Sequence, residues 1–219
     1  MRAFYVYVTG AVILMVIGLL SSLISEKAFF LLWLSEWRNP VADYYFYYLT
    51  KLGESYGYIL FGIFLLTQSW KKMLPVPVLG GIVMLTSYTL KQFFQHERPS
   101  LYLKRIEWEG TMSILGYPSL GGYHSFPSGH SMAAWALFTL IAVMIRKTWV
   151  SIICLFLAVS VSISRVYLLA HFLQDVAAGA MIGFSLGYGV YYFYARWMKK
   201  YGEKIDPSHN QEKDVIEMN

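Results

Sequence analysis

Three stretches of this chain carry residues suited to handling a phosphoryl group: Lys91-x6-Arg98-Pro99, Pro127-Ser128-Gly129-His130, and Ser164-Arg165-x5-His171-x3-Asp175. A neutral imidazole can attack phosphorus, and His171 is the candidate nucleophile. Asp175 follows at i,i+4, the spacing at which a carboxylate on the same helical face accepts the other ring N–H. Such a carboxylate fixes the tautomer and stabilises the cation that forms on attack. Taken alone, a histidine near a membrane interface with an acid in the first turn of a helix reads better as a structural pair than as a catalytic one. Its position behind Ser164-Arg165 favours chemistry.

Ser128 is an N-cap type directly before an apolar run. The Gly129 and His130 amides then stand at the positive end of a helix, where an anion binds. A plain cap accounts for Ser128 and Gly129 but not for His130, whose titration range suits proton transfer near neutral pH. Lys91 precedes Arg98 by two helical turns, so both are expected along one face of a helix that Pro99 ends. An ammonium facing lipid costs about 2.5–3.5 kcal/mol, which turns Lys91 toward a polar cavity unless it snorkels. The planar fork of Arg165 can grip two phosphate oxygens. Together these cations would stabilise the charge of an in-line transition state.

The combination resembles the type 2 phosphatidic acid phosphatase superfamily, integral-membrane lipid phosphatases that share a site with vanadium haloperoxidases. The resemblance spans residues 91–175. It implies His171 as nucleophile through a phosphohistidine, His130 as general acid and Asp175 as partner of His171. Lys91, Arg98, Ser128, Gly129 and Arg165 are the implied phosphate-binding set. No metal or cofactor is implied, the spacings of His96, His124, His130 and His171 fit no common zinc pattern, and the acidic clusters of a two-metal phosphatase are missing. His96 and His124 read as loop residues.

The elements that must position these residues are membrane helices. Of 219 residues, 57% are hydrophobic and 14% charged, too little polar surface to coat a soluble globule. Six apolar runs, Phe4 to Ile24, Tyr56 to Trp70, Pro75 to Phe94, Ser131 to Ile145, Trp149 to Ile163 and Phe172 to Tyr194, approach the roughly 20 residues that span a bilayer core. The expected fold is all-α, an integral membrane bundle of six transmembrane helices over residues 1–201, the three shorter runs extending into polar flanks. The first run exceeds a signal-peptide core and lacks a good cleavage site after Ser21-Ser22, so it is expected to be retained. Residues 202–219 are polar and aperiodic, and are expected to form a disordered cytoplasmic tail.

Purely basic connections at Arg2, Lys71-Lys72, Arg146-Lys147 and Arg196 to Lys200 alternate with connections of mixed sign. The basic side should be cytoplasmic, with both termini there. All three motifs then fall on the extracytoplasmic face of a plasma membrane, and the compact plan resembles a bacterial inner-membrane enzyme. The net charge of +5 reflects these loops, so it points to no nucleic-acid partner. Cys154 is the single cysteine, which excludes an internal disulfide. Gly179-x3-Gly183-x3-Gly187 reads as a helix-packing stripe. The tyrosine-rich segment 44–48 reads as an interfacial anchor, with a cradle for acyl or prenyl chains as the second reading. The long stretch Ser100 to Tyr123 is expected to shape the headgroup entrance.

The expected partner is a phosphorylated lipid of the bilayer: phosphatidylglycerophosphate, phosphatidate, undecaprenyl diphosphate or lipid A 1-phosphate all suit such a site. Phosphate transfer between lipids, or non-catalytic binding or transport of phosphorylated lipids, stay open as alternatives. A vanadate peroxidase does not fit six membrane spans.

Overall fold

The computed structural model describes residues 2–111, 114–115 and 121–205. Among these the chain forms ten α-helices: α1 Arg2–Ile24, α2 Phe29–Glu36, α3 Pro40–Leu49, α4 Ser55–Leu66, α5 Trp70–Met73, α6 Pro75–Phe94, α7 Pro99–Arg105, α8 Gly129–Ile145, α9 Thr148–Tyr167 and α10 Leu173–Ile205. A 3-10 turn, Thr50–Gly53, joins α3 to α4. The six apolar runs became α1, α4, α6, α8, α9 and α10. By length and composition, α1, α9, α10 and the segment containing α6 can cross a membrane. The other two, α4 and α8, are shorter apolar helices.

Boundaries moved where polar residues intervene. The second run stops as a helix at Leu66, four residues early, because Ser69 turns extended and caps a separate helix through Lys71 N. By contrast, α9 continues past Ile163 through Ser164 and Arg165. The connection between α1 and α4 contains α2 and α3, and Asn39 with Pro40 supplies a side-chain cap and an N1 proline for α3. The stretch after Arg98 begins as α7, and the part of it at 112–113 and 116–120 lies outside the described residues. Helix α10 runs four residues past the expected boundary at 201. The remaining tail, 206–219, also lies outside them.

Helix α8 is the axis of the bundle. Twelve of its residues are buried, from Ser131 to Val143, so it is apolar on every side and other helices surround it. The glycine stripe explains how closely α10 approaches. A Cβ on Gly179, Gly183 or Gly187 would lie 2.5, 2.2 or 2.4 Å from the carbonyl oxygens of Ser128, Met132 and Ala136. Backbone therefore meets backbone along three turns, as small-residue stripes permit. Gly183→Ala is expected to destabilise the protein by about 1–3 kcal/mol, the usual cost of overpacking. Thermal unfolding in detergent checks this, and a wild-type midpoint would refute the close packing.

Polar groups inside the bundle pair across helices. Tyr7 Oη and Thr139 Oγ1 are 2.9 Å apart, tying α1 to α8. Trp135 Nε1 donates to Ser162 Oγ at 3.0 Å, Ser162 and Ser131 hydroxyls meet at 2.9 Å, and Ser131 Oγ donates to Val176 O at 2.9 Å. Because the Ser131 proton goes to Val176, Ser162 donates to Ser131, and every member of this buried network is satisfied. It links α8, α9 and α10 directly beneath the ends that carry the motifs.

Candidate functional site

The three motifs converge at one end of the bundle. Ser128 N donates to Asp175 O at 2.9 Å, Arg98 Nη1 donates to Ala170 O at 3.3 Å, and an added Cβ on Gly129 would lie 3.5 Å from Lys91 Nζ. Residues 91–98, 128–130 and 165–175 thus form one cluster.

Arg98 departs from the expected helix face. Helix α6 ends at Phe94, with Gln95 in the left-handed region at φ 45°, and Arg98 is extended at the N-cap of α7. The residue before a proline is pushed out of the α region, so Pro99 moves the break upstream of Arg98 and starts a new helix at its own position. Arg98 is instead held by loop carbonyls: Nη2 donates to His124 O at 3.1 Å, and its backbone N donates to Gly122 O at 3.0 Å. His124 is thereby part of the site's frame, with its Nδ1 also 3.3 Å from Lys91 O.

Ser128 caps α8 as expected, its Oγ accepting from Ser131 N at 3.4 Å. Gly129 and His130 occupy the first two helical positions, whose amides have no intrahelical acceptor. The Phe126–Pro127 peptide ahead of them is cis.

Arg165 is fully buried in the last turn of α9, where Nη1 donates to Thr50 Oγ1 at 2.6 Å. Its carbonyl accepts from Ala170 N at 3.0 Å and His171 N at 3.2 Å, closing the turn that carries the histidine. Leu169 sits in that turn at φ 54°, a strained conformation for a branched residue and typical of functional sites.

His171 precedes α10 rather than starting it. The i,i+4 pairing survives because Asp175 lies in the first helical turn and Oδ2 accepts from Phe172 N at 3.0 Å, the carboxylate half of a capping box. His171 Nδ1 and Asp175 Oδ2 are 3.5 Å apart. A buried hydroxyl bridges them: Ser125 Oγ is 2.5 Å from Asp175 Oδ2 and 3.4 Å from His171 Nδ1. Its single proton goes to the carboxylate, so neutral His171 must carry its own proton on Nδ1 and present the lone pair of Nε2. Asp175 is thus both the acid that favours the helix dipole and the orienter of the imidazole, two readings that the residue pattern had set against each other.

Burial pushes the His171 pKa down from 6.5 to about 3, with help from Arg165 and Arg98 and against the pull of Asp175. The neutral, nucleophilic form therefore persists through the physiological range. A depressed folded-state value also carries a stability sign. The unfolded chain takes up the proton near pH 6.5 while the folded one resists it, so stability is complete above that value and is lost as pH falls toward 3. His171→Gln is expected to flatten this acid slope, measurable as unfolding midpoint against pH.

Glu54, at the start of α4, lies against His130, with Oε1 3.3 Å from His130 Nε2. Sequence reasoning missed Thr50, Glu54 and Ser125. The first two lie far upstream in a segment without a motif, and Ser125 is a common residue three positions ahead of Ser128.

A cavity of about 840 Å³ opens from this cluster. Glu54, Lys91 and Gly129 form its polar end, and it continues between α4 and α6 past Gly62 and Gly80 to Leu66. A smaller cavity of about 320 Å³ between α1, α2, α9 and α10 is lined by no ionisable side chain.

The chain is 33% identical over 153 residues to phosphatidylglycerophosphatase B of Bacillus subtilis, covering 66% of this chain and 64% of that protein. It is 28% identical over 176 residues to lipid A 4'-phosphatase of Porphyromonas gingivalis, 73% of this chain and 70% of that one. The crystal structure of a transmembrane PAP2-type phosphatidylglycerolphosphate phosphatase from B. subtilis superposes with a TM-score of 0.63 at 26% identity, covering 88% of this chain and 97% of that one. The family model of the PAP2 superfamily matches residues 73–199, taking in all three motifs, and the chain belongs to that superfamily.

Proposed function

We propose that this protein is a membrane phosphatase that hydrolyses the terminal phosphate of a lipid phosphate or lipid diphosphate, using His171 as nucleophile. One observation carries the reading: Lys91 and the Gly129 helix end, which belong to the cluster with His130 and His171, also line one end of a mostly apolar groove between α4 and α6. The cluster suits the phosphate, and the groove suits the hydrocarbon attached to it, in a volume typical of ligand pockets.

The chemistry follows from the geometry. Lys91, Arg98 and Arg165, with the Gly129 and His130 amides, hold the phosphoryl oxygens and neutralise the charge that develops on them. His171 Nε2 forms a bond to phosphorus as the bond to the ester oxygen breaks, and His130 gives that oxygen a proton. Asp175 and Ser125 hold Nδ1–H and stabilise the positive ring of the phosphohistidine. Water then attacks phosphorus, His130 takes its proton, the P–N bond breaks and inorganic phosphate leaves. These steps route no bond through a metal.

The relatives act, by name, on phosphatidylglycerophosphate and on the 4'-phosphate of lipid A. For this chain both lipid classes are candidates, with phosphatidate and undecaprenyl diphosphate. The basic connections support an orientation with the site on the extracytoplasmic face, where substrate arrives sideways from the outer leaflet.

Phosphate release by the purified protein from a panel of these lipids, with EDTA present, tests the reading. Release from at least one lipid in EDTA is expected. A folded protein that releases phosphate from none would overturn it, and abolition by EDTA would overturn the mechanism.

A further inference from the structure

We propose that Glu54 is the positioning residue of the leaving-group proton donor: its carboxylate accepts His130 Nε2–H, leaving Nδ1 as the ring nitrogen that serves the scissile oxygen. The inference rests on the phosphatase reading above and adds a residue outside all three motifs.

Four observations converge on it. First, the contact is 3.3 Å between chain positions 76 apart, with both side chains partly covered, 27% and 34% exposed. Second, helix capping does not account for Glu54. It occupies the N-cap of α4 with an extended backbone, yet makes no side-chain cap bond, and glutamate is not a favoured N-cap residue. The carboxylate turns to His130 instead.

Third, the segment is seated for this task. A Cβ on Gly53 would lie 2.8 Å from His130 O and 2.9 Å from a Val161 methyl, so no larger residue fits without displacing α8 or α9. Thr50, at the other end of the same turn, meets Arg165. Residues 50–54 thus reach a phosphate-binding cation and the proton donor together.

Fourth, Glu54 is electrostatically out of place. It lines the polar end of the cavity beside Lys91 and Gly129, where a negative group opposes phosphate binding. A carboxylate there weakens affinity for the ground state, so its contribution must come through the proton donor. The hydrogen bond to His130 holds Glu54 below the usual carboxylate range, with Lys51 and Arg165 adding to this, so it is anionic when His130 needs stabilising as a cation. The other charges facing His130, Arg165 from α9 and Lys91 from α6, both oppose that cation. Glu54 supplies the counterweight, as Asp175 does for His171.

The roles predict a split between kcat and KM. In Glu54→Gln the amide oxygen can still accept from Nε2–H but the charge is gone. With a lipid phosphate as substrate, kcat is expected to fall about 10- to 100-fold, within the range for general acid catalysis. KM is expected to stay level or decrease, because a repulsive group has left. The basic limb of kcat against pH is expected to move to lower pH by about one unit, the order produced by removing an opposite charge. An unchanged kcat, a rise in KM that accounts for the loss, or a fall in kcat with an unmoved basic limb would each overturn the proposal.

A second measurement needs neither turnover nor a Glu54 variant. In histidine-15N-labelled wild-type protein, with the His130 signal identified by its loss in His130→Gln, neutral His130 is expected as the Nε2–H tautomer. The Nδ1–H tautomer would overturn the assignment. Wild-type protein that is inert toward every lipid would count against the phosphatase reading, while the tautomer would still decide the Glu54 contact.

Discussion

His171→Ala is expected to lower lipid phosphatase kcat by at least about 10⁴-fold, a loss of about 5.4 kcal/mol of transition-state stabilisation. The nucleophile has no substitute in the cluster. His130 is the other imidazole in motif position, and its Nε2 is engaged by Glu54. Residual activity should reflect positioning and charge stabilisation alone, as when the nucleophile of a catalytic triad is removed. The variant should still bind its lipid, because Lys91, Arg98 and Arg165 are untouched. Quenching turnover with 32P-labelled substrate separates the possibilities: wild-type protein should carry acid-labile label and His171→Ala none. Equal labelling of both would place the nucleophile elsewhere.

Asp175→Asn is expected to cost about 10²–10⁴ in kcat with little change in KM. The carboxylate oxygen Oδ2 now collects the Phe172 amide, the Ser125 hydroxyl and the approach of His171 Nδ1. An amide in its place must offer one oxygen and one NH2. If the oxygen keeps Phe172 N and Ser125, the imidazolium formed on attack loses its counter-charge. If the NH2 faces the ring, the proton is driven to Nε2 and the attacking lone pair is lost. Either outcome acts after substrate has bound, which is why kcat carries the effect. Ser125→Ala should be milder than Asp175→Asn in the same assay, since the carboxylate remains 3.5 Å from the ring. Activity of Asp175→Asn within threefold of wild type would show that the bridge through Ser125 orients nothing that matters to the reaction.

Much of this site was legible because its chemistry is concentrated in local motifs. Ser128 could be read as a cap since a small hydroxylic residue stood before an apolar run, and the structure bears this out at Ser131 N. Convergence of the motifs was legible through helix counting, as pairs of membrane spans return the chain to the same end. Arg98 was misplaced because a seven-residue spacing looks like two helical turns until a left-handed Gln95 interrupts them. The sixth apolar run was read from Phe172 and its helix begins at Leu173, which puts Asp175 in the first turn and gives the pairing with His171. Thr50, Glu54 and Ser125 escaped notice for a different reason: they meet their partners across 115, 76 and 50 positions, and nothing in their neighbours marks them.

The residues by themselves determined that this chain is a helical membrane protein with three phosphate-suited segments. Hydrophobic run length and the chemistry of cations, caps and imidazoles are local properties, readable before any folding. Only the tertiary structure decided which ordinary polar side chains stand behind the two histidines and that a groove between α4 and α6 leads away from Lys91 and Gly129. Those depend on how α8 is enclosed and how closely the glycines of α10 let it approach, and close packing between distant segments leaves no periodic trace in the sequence.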